Sequence, residues 1–185
     1  QDSGNGGNAE TVAGPNSELY AVWQEIDSAN PGISRILFDR SLDGGATWGA
    51  DSPIYSSTVA LDNDPLSPIS DGSLNSYLVA AAPDYGMGAF VAMDVDRSGG
   101  VFNGRIYVVV SDQGDLDGDA TTGHSDTDLF LISSDDGGQT WTIPFQINDD
   151  RSPNSQLAPE ISVDQITGTL VVAWYDSRLD DGVAV

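Results

Sequence analysis

Short apolar runs alternate with clusters of Gly, Pro, Asn and Asp along the chain. The runs fall at 19–23, 35–38, 89–93, 105–110, 128–132, 142–147, 160–163 and 169–175. Each has about the length of a strand and is rich in β-branched and aromatic residues, which suit a pleated, half-buried surface. No segment keeps a 3.6-residue apolar period beyond two turns, so the pattern predicts an all-β chain. Residues 1–8 are polar and Gly-rich and read as a tail.

The pattern repeats. Ser41-Leu42-Asp43-Gly44-Gly45-Ala46-Thr47-Trp48 matches Ser134-Asp135-Asp136-Gly137-Gly138-Gln139-Thr140-Trp141, both reading S-x-D-G-G-x-T-W. Residues 18–23 match 169–174, and 105–110 is a weaker third copy. In order, the repeating unit is three strands, the turn and a fourth strand. The clearest unit predicts strands near 89–95, 105–111, 127–133 and 141–147. Four short strands per unit, repeated along the chain, predict a β-propeller. The units are 9–57 with its turn at 41–48, 89–150 with its turn at 134–141, and the beginning of a third at 151–185. The first unit opens on a weak strand around Glu10 to Val12. Residues 58–88 read as an insertion between units. From Ser41 to Ser134 is 93 residues, about twice a common blade length of roughly 40–50. That insertion and an enlarged loop at 113–126 account for the excess.

The S-x-D-G-G-x-T-W turn resembles the Asp-box, or BNR repeat, of sialidases and related β-propellers. Its flanks resemble the secreted bacterial type. Asp94-Val95-Asp96-Arg97-Ser98-Gly99-Gly100 before Gly104-Arg105-Ile106-Tyr107-Val108 is similar to the first turn of its blades. Ala173-Trp174-Tyr175-Asp176-Ser177-Arg178 is similar to the end of its second strands. The resemblance implies four-stranded antiparallel blades, about two and a half of them here. It also implies that Ser41, Asp43, Gly45, Thr47, Trp48, Ser134, Asp136, Gly138, Thr140 and Trp141 are structural residues on the rim. The physical reason is local. An Asp accepts backbone N–H bonds inside a turn, paired Gly allow positive φ, and a Trp packs beside the turn.

Charge narrows the partners. The net charge is −23, with six basic residues, all Arg, against 29 acids of which only four are Glu. Nucleic-acid phosphates and anionic membrane surfaces need basic patches, so neither is an expected partner. No window approaches the roughly 18 apolar residues of a membrane helix. Without Cys there is neither a disulfide nor a thiol nucleophile. A Ser-His-Asp triad has only His124 to draw on. Asp-rich, Lys-free composition suits both high salt and calcium.

The resemblance also implies what a sialidase needs: an Arg cluster, a Tyr–Glu nucleophile pair and an Asp acid/base. The family's Phe/Tyr-Arg-Ile-Pro motif is absent, and the nearest string is Ser34-Arg35-Ile36-Leu37. No catalytic residue carries over. Arg97, Arg105 and Arg178 remain candidates to line a face, with pairing to nearby Asp as the plainer reading. Asp115, Asp117 and Asp119, with Asp126 at position 12, follow the spacing of an EF-hand-type calcium loop. Ala120 replaces the usual Gly of that loop, and Asp126 is shorter than the usual Glu.

Three functions follow from these readings. The first is a structural or binding segment, for glycan or protein, of a larger extracellular or cell-surface protein. The second is a fragment of a sialidase-like glycoside hydrolase whose active site lies largely in other blades. The third is a calcium-dependent adhesion module. The start at Gln1 reads as a processed chain or a fragment. The partial blade set predicts further blades of the same polypeptide, or further copies of the chain, as partners.

Overall fold

A computed structural model describes residues 6–26, 34–57, 77–79, 82–87, 90–112, 127–150 and 154–179. These residues form no helix. The first sheet runs β1 (Gly6–Ala13), β2 (Leu19–Ile26), β3 (Ser34–Ser41) and β4 (Ser52–Ser56), antiparallel and in chain order. A hairpin follows, β5 (Tyr77–Val79) with β6 (Ala82–Met87). The second sheet is β7 (Val91–Val95), β8 (Ile106–Asp112), β9 (Asp128–Ser134) and β10 (Phe145–Gln146). The last pair is β11 (Gln156–Val163) with β12 (Leu170–Asp176). The chain is thus all-β, with four-stranded antiparallel sheets laid out as successive blades.

The first strands stack in order, β1 against β7 and β7 against β11. Blades therefore meet face to face, and the core lies between them. Tyr20, Val22, Ile36 and Phe38 of the first blade pack against Val91, Met93, Val95 and their neighbours on β8 and β9. Burial follows this sandwiching. Every residue of β8 is buried, because the first blade covers one face and β11 lies against the other. Strand β12 alternates half-buried and exposed residues, because only one of its faces is covered. A continuous apolar run and an alternating one thus mark a central and a peripheral strand.

Three details differ from the sequence pattern. Strand β1 starts at Gly6, upstream of the expected Glu10, through an irregularity between Gly7 and Ala9 where Asn8 takes φ 47°. Strand β10 shrinks to two residues, since Pro144 has no N–H to donate to the ladder. Hairpin β5–β6 lies inside the segment read as a connection. Pro83 within β6 disguises the strand in the sequence.

Candidate functional site

The two S-x-D-G-G-x-T-W segments fold into near-identical turns, each joining the third and fourth strands of its blade. In the first, Gly45 N–H donates to Ser41 Oγ (2.8 Å) and Ser41 Oγ–H to Asp43 Oδ1 (2.8 Å). Thr47 closes the turn from N–H to Asp43 Oδ1 (2.8 Å) and from Oγ1–H to Oδ2 (2.7 Å). The second turn repeats this with Gly138 to Ser134 (2.9 Å), Ser134 to Asp136 (2.8 Å) and Thr140 to both Asp136 oxygens (2.9 and 2.6 Å). Gly44, Gly45, Gly137 and Gly138 all take φ between 70° and 92°, the left-handed region that an ordinary side chain resists. The matching chemistry of the two segments thus yields matching geometry.

Those bonds act on the carboxylates. The N–H and hydroxyl of Thr47, with Ser41, hold the Asp43 carboxyl down at about 2. The hydroxyl and N–H of Thr140, with Ser134, hold Asp136 there too. Both values lie below the ordinary 3.8, so each charged carboxylate stabilises the folded chain above about pH 4. That contribution is lost as pH falls from about 4 through about 2. Asp43→Asn with Asp136→Asn therefore flattens the fall of the melting temperature between pH 4 and pH 2. A profile parallel to that of the parent would reject the assignment.

The second turn also locks two blades together. Phe38 of β3 lies under Gly138, where an added Cβ would come within 2.2 Å of its ring. Trp141 meets the same ring edge-on at 5.1 Å, and Arg40 donates to Gly137 O (2.7 Å). At the same end of the sheets, Arg97 donates to Ala13 O of the first blade (2.7 Å), and its N–H donates to Gln165 Oε1 after β11 (2.6 Å).

The opposite end of the sheets holds a buried polar cluster. Asp112 is 1% exposed and accepts Tyr55 Oη–H (2.8 Å) and Ser57 Oγ–H (2.9 Å), both from the first blade. Asp128, its cross-strand partner, accepts from Asn148 Nδ2 (2.6 Å). Asn148 Nδ2 also donates to Gln156 Oε1 (3.0 Å), and Thr127 donates from its hydroxyl to Gln156 O (2.7 Å) and from its N–H to Ser155 Oγ (3.2 Å), while its carbonyl accepts from Gln156 N–H (2.7 Å). This cluster ties the ends of β4, β8, β9 and β11 together. One sign of it is legible in the chain: Ser111-Asp112 ends an otherwise apolar run.

The arginines are the remaining candidates. Arg105 makes a two-pronged pair with Asp135 (2.5 and 2.7 Å) beneath the Phe102 ring. Arg178 joins Asp176 (2.7 Å) to Asp149 (2.8 Å), and its guanidinium lowers the Asp176 carboxyl. Arg35 pairs with Glu25. With Arg40 and Arg97, all five described arginines are engaged within the fold, at separate places on it. The acidic loop with Asp115, Asp117, Asp119 and Asp126, and His124 within it, lie outside the described residues. Among the described residues no three His, Cys, Asp or Glu side chains group as metal ligands, and no helix is long and apolar enough to cross a membrane.

These features define an all-β protein of stacked four-stranded blades with matched turns at one end and a polar cluster at the other. No protein-family model and no curated protein matches the chain. Among solved structures it is similar to Hadza microbial sialidase Hz136, with a TM-score of 0.55 at 19% identity. The match covers 92% of this chain and 32% of that one. The likeness shows a sialidase-like propeller fold, of which this chain spans about a third of the neighbour's length.

Proposed function

We propose that the chain is a blade-forming segment of a larger extracellular or cell-surface β-propeller protein, serving as a structural and binding scaffold for glycan or protein. One observation carries this reading. Each described arginine is committed to an acceptor of the fold, and they are dispersed between the two ends of the sheets. A sialic acid carboxylate is recognised by guanidinium groups free to bind it bidentately. The two turns are rim structure of the Asp-box kind, with Asp43 and Asp136 as their internal acceptors. The direct test is hydrolysis of a fluorogenic sialoside by the full-length polypeptide that carries the segment. The expected result is no turnover above the uncatalysed rate. Turnover would overturn the scaffold reading in favour of a hydrolase. That second reading is favoured by the neighbour itself, which is named a sialidase and is about three times as long as the matched stretch.

We also propose calcium as a stabiliser of the loop bearing Asp115, Asp117, Asp119 and Asp126. The support is the alternate-Asp spacing, which supplies hard oxygen ligands, and the buried, hydrogen-bonded Asp112 and Asp128 at the loop's two ends. A ligand that binds only the folded state must stabilise it, by about 2.7 kcal/mol at 100 times its Kd. Addition of EGTA is thus expected to lower the melting temperature, and Asp117→Asn with Asp119→Asn to remove the difference. An unchanged midpoint with EGTA would reject the site.

A further inference from the structure

The second blade turns one apolar face to the first. Ile106, Val108 and Val110 on β8, with Phe130 and Ile132 on β9, are fully buried there. The strand registers give the matching positions of the first blade. Leu19 pairs with Ser41 as Ile106 pairs with Ser134, so Leu19, Ala21 and Trp23 stand where Ile106, Val108 and Val110 stand. Those three are only half-buried. The turns differ in the same sense. Trp141 is packed on Phe38, whereas Trp48 is 44% exposed. A Cβ on Gly138 would strike the Phe38 ring, whereas one on Gly45 would meet only Leu19 Cδ1, at 3.2 Å, among the described residues. The first blade therefore carries the same turn pocket as the second with no ring over it among the described residues, while Leu37 and Asp39, at the positions of Phe130 and Ile132, are buried within the blade's own face.

The filled copy shows what fits the open one. We propose that this face of the first blade docks another four-stranded blade of the same kind, contributed from outside the 185 residues. Its third strand places an aromatic ring over Gly45 and Trp48, as Phe38 lies over Gly138 and Trp141. An Arg two residues further on, the counterpart of Arg40, then reaches the Gly44 carbonyl as Arg40 reaches that of Gly137. The proposal rests on the reading of the chain as part of a larger propeller, and adds which surface closes it and with what partner.

Among the described residues, a second copy of this chain offers no strand that meets the requirement. Among the described residues the third strands are β3 and β9. Phe38 of β3 is already seated in the second blade. Strand β9 carries Leu131 at the register position of Phe38 and Ser133 at that of Arg40, and it already packs against β11.

The absence of Cys makes the test clean. Single cysteines are introduced by Ala21→Cys, by Val108→Cys as its buried counterpart, and by Val101→Cys at a site 95% exposed. Maleimide labelling is then timed in the native full-length polypeptide and in the 185-residue segment. In the full-length protein Ala21→Cys is expected to label at least about 10-fold more slowly than Val101→Cys, approaching Val108→Cys, because a docked blade must open first. In the segment alone it is expected to label within a few-fold of Val101→Cys. Leu19→Cys on the same face serves if Ala21→Cys does not fold. Labelling of the full-length variant at the Val101→Cys rate overturns the docking face alone. An intact mass of 19.4 kDa for the natural polypeptide overturns the larger-propeller reading, and the docked blade with it.

Discussion

Phe38→Ala is expected to lower the unfolding free energy by about 3–5 kcal/mol, the range for deleting a buried aromatic ring. The ring is 2% exposed and bridges two blades rather than filling one. It stacks on Tyr20 of its own sheet at 5.8 Å and receives the edge of Trp141 from the next at 5.1 Å. Rings in such offset and edge-on pairs gain about 0.5–1.5 kcal/mol beyond the area they bury. The polar part of the same contact, Arg40 on Gly137 O, holds the turn in place but offers no apolar surface to collapse into the hole. The cavity left by alanine is thus lined by Tyr20, Trp141 and the Gly138 backbone, none of which is free to move inward without breaking its turn or ladder. Urea denaturation of the purified segment measures the loss. A reduced midpoint with an unchanged slope is expected if the blades still unfold together. A lower slope would mean that they unfold separately once the ring is gone. Trp48→Ala, at the open copy of the socket, is expected to cost the segment under about 1 kcal/mol, as an exposed substitution does. A loss below about 1 kcal/mol for Phe38→Ala would contradict the packing of the two blades.

How much of this could be read from the chain depends on the range of the interactions. The two turns were legible because every partner lies within six residues: Ser, Asp, Gly and Thr must occur at fixed offsets for the bonds to close. Strands β2, β8, β9 and β12 are legible from their β-branched and aromatic runs, and with the repeat these runs imply the all-β, four-stranded order. Strand β10 was overestimated because Ile143 and Phe145 look like core residues, whereas both are exposed beside Pro144. Of the polar cluster only Ser111-Asp112, closing an apolar run, is legible. Tyr55 reaches Asp112 across 57 residues and Thr127 reaches Gln156 across 29, and no local spacing encodes such meetings. In a chain with so many acids, Asp112 and Asp128 read as two more surface charges, although both are buried. Charge counts thus described the solvent face well and the inter-blade seams poorly. The proposed docking socket combines both: the repeat sets equivalent positions in the two blades, and those positions differ in burial.

Gly138→Ala and Gly45→Ala, the same substitution in the two copies of the turn, are expected to differ in cost because only one of them has a ring over it among the described residues. Both glycines take positive φ, 84° and 92°. An alanine in that region costs about 1–2 kcal/mol on backbone grounds alone. For Gly45 little is added, since the nearest described atom is the mobile end of Leu19 at 3.2 Å. For Gly138 the new methyl would lie 2.2 Å from the Phe38 ring, which is itself clamped by Tyr20 and Trp141. Overpacking of that kind adds about 1–3 kcal/mol. Gly138→Ala is therefore expected to be the more damaging by about that margin. A double-mutant cycle isolates the cause. With Phe38→Ala in place the obstacle is gone, and the added cost of Gly138→Ala falls to that of Gly45→Ala. The double variant is then more stable than the sum of the singles predicts, with a coupling of about 1–3 kcal/mol. Strict additivity would show that the glycine is required for its backbone conformation alone, and that the ring does not seat against it.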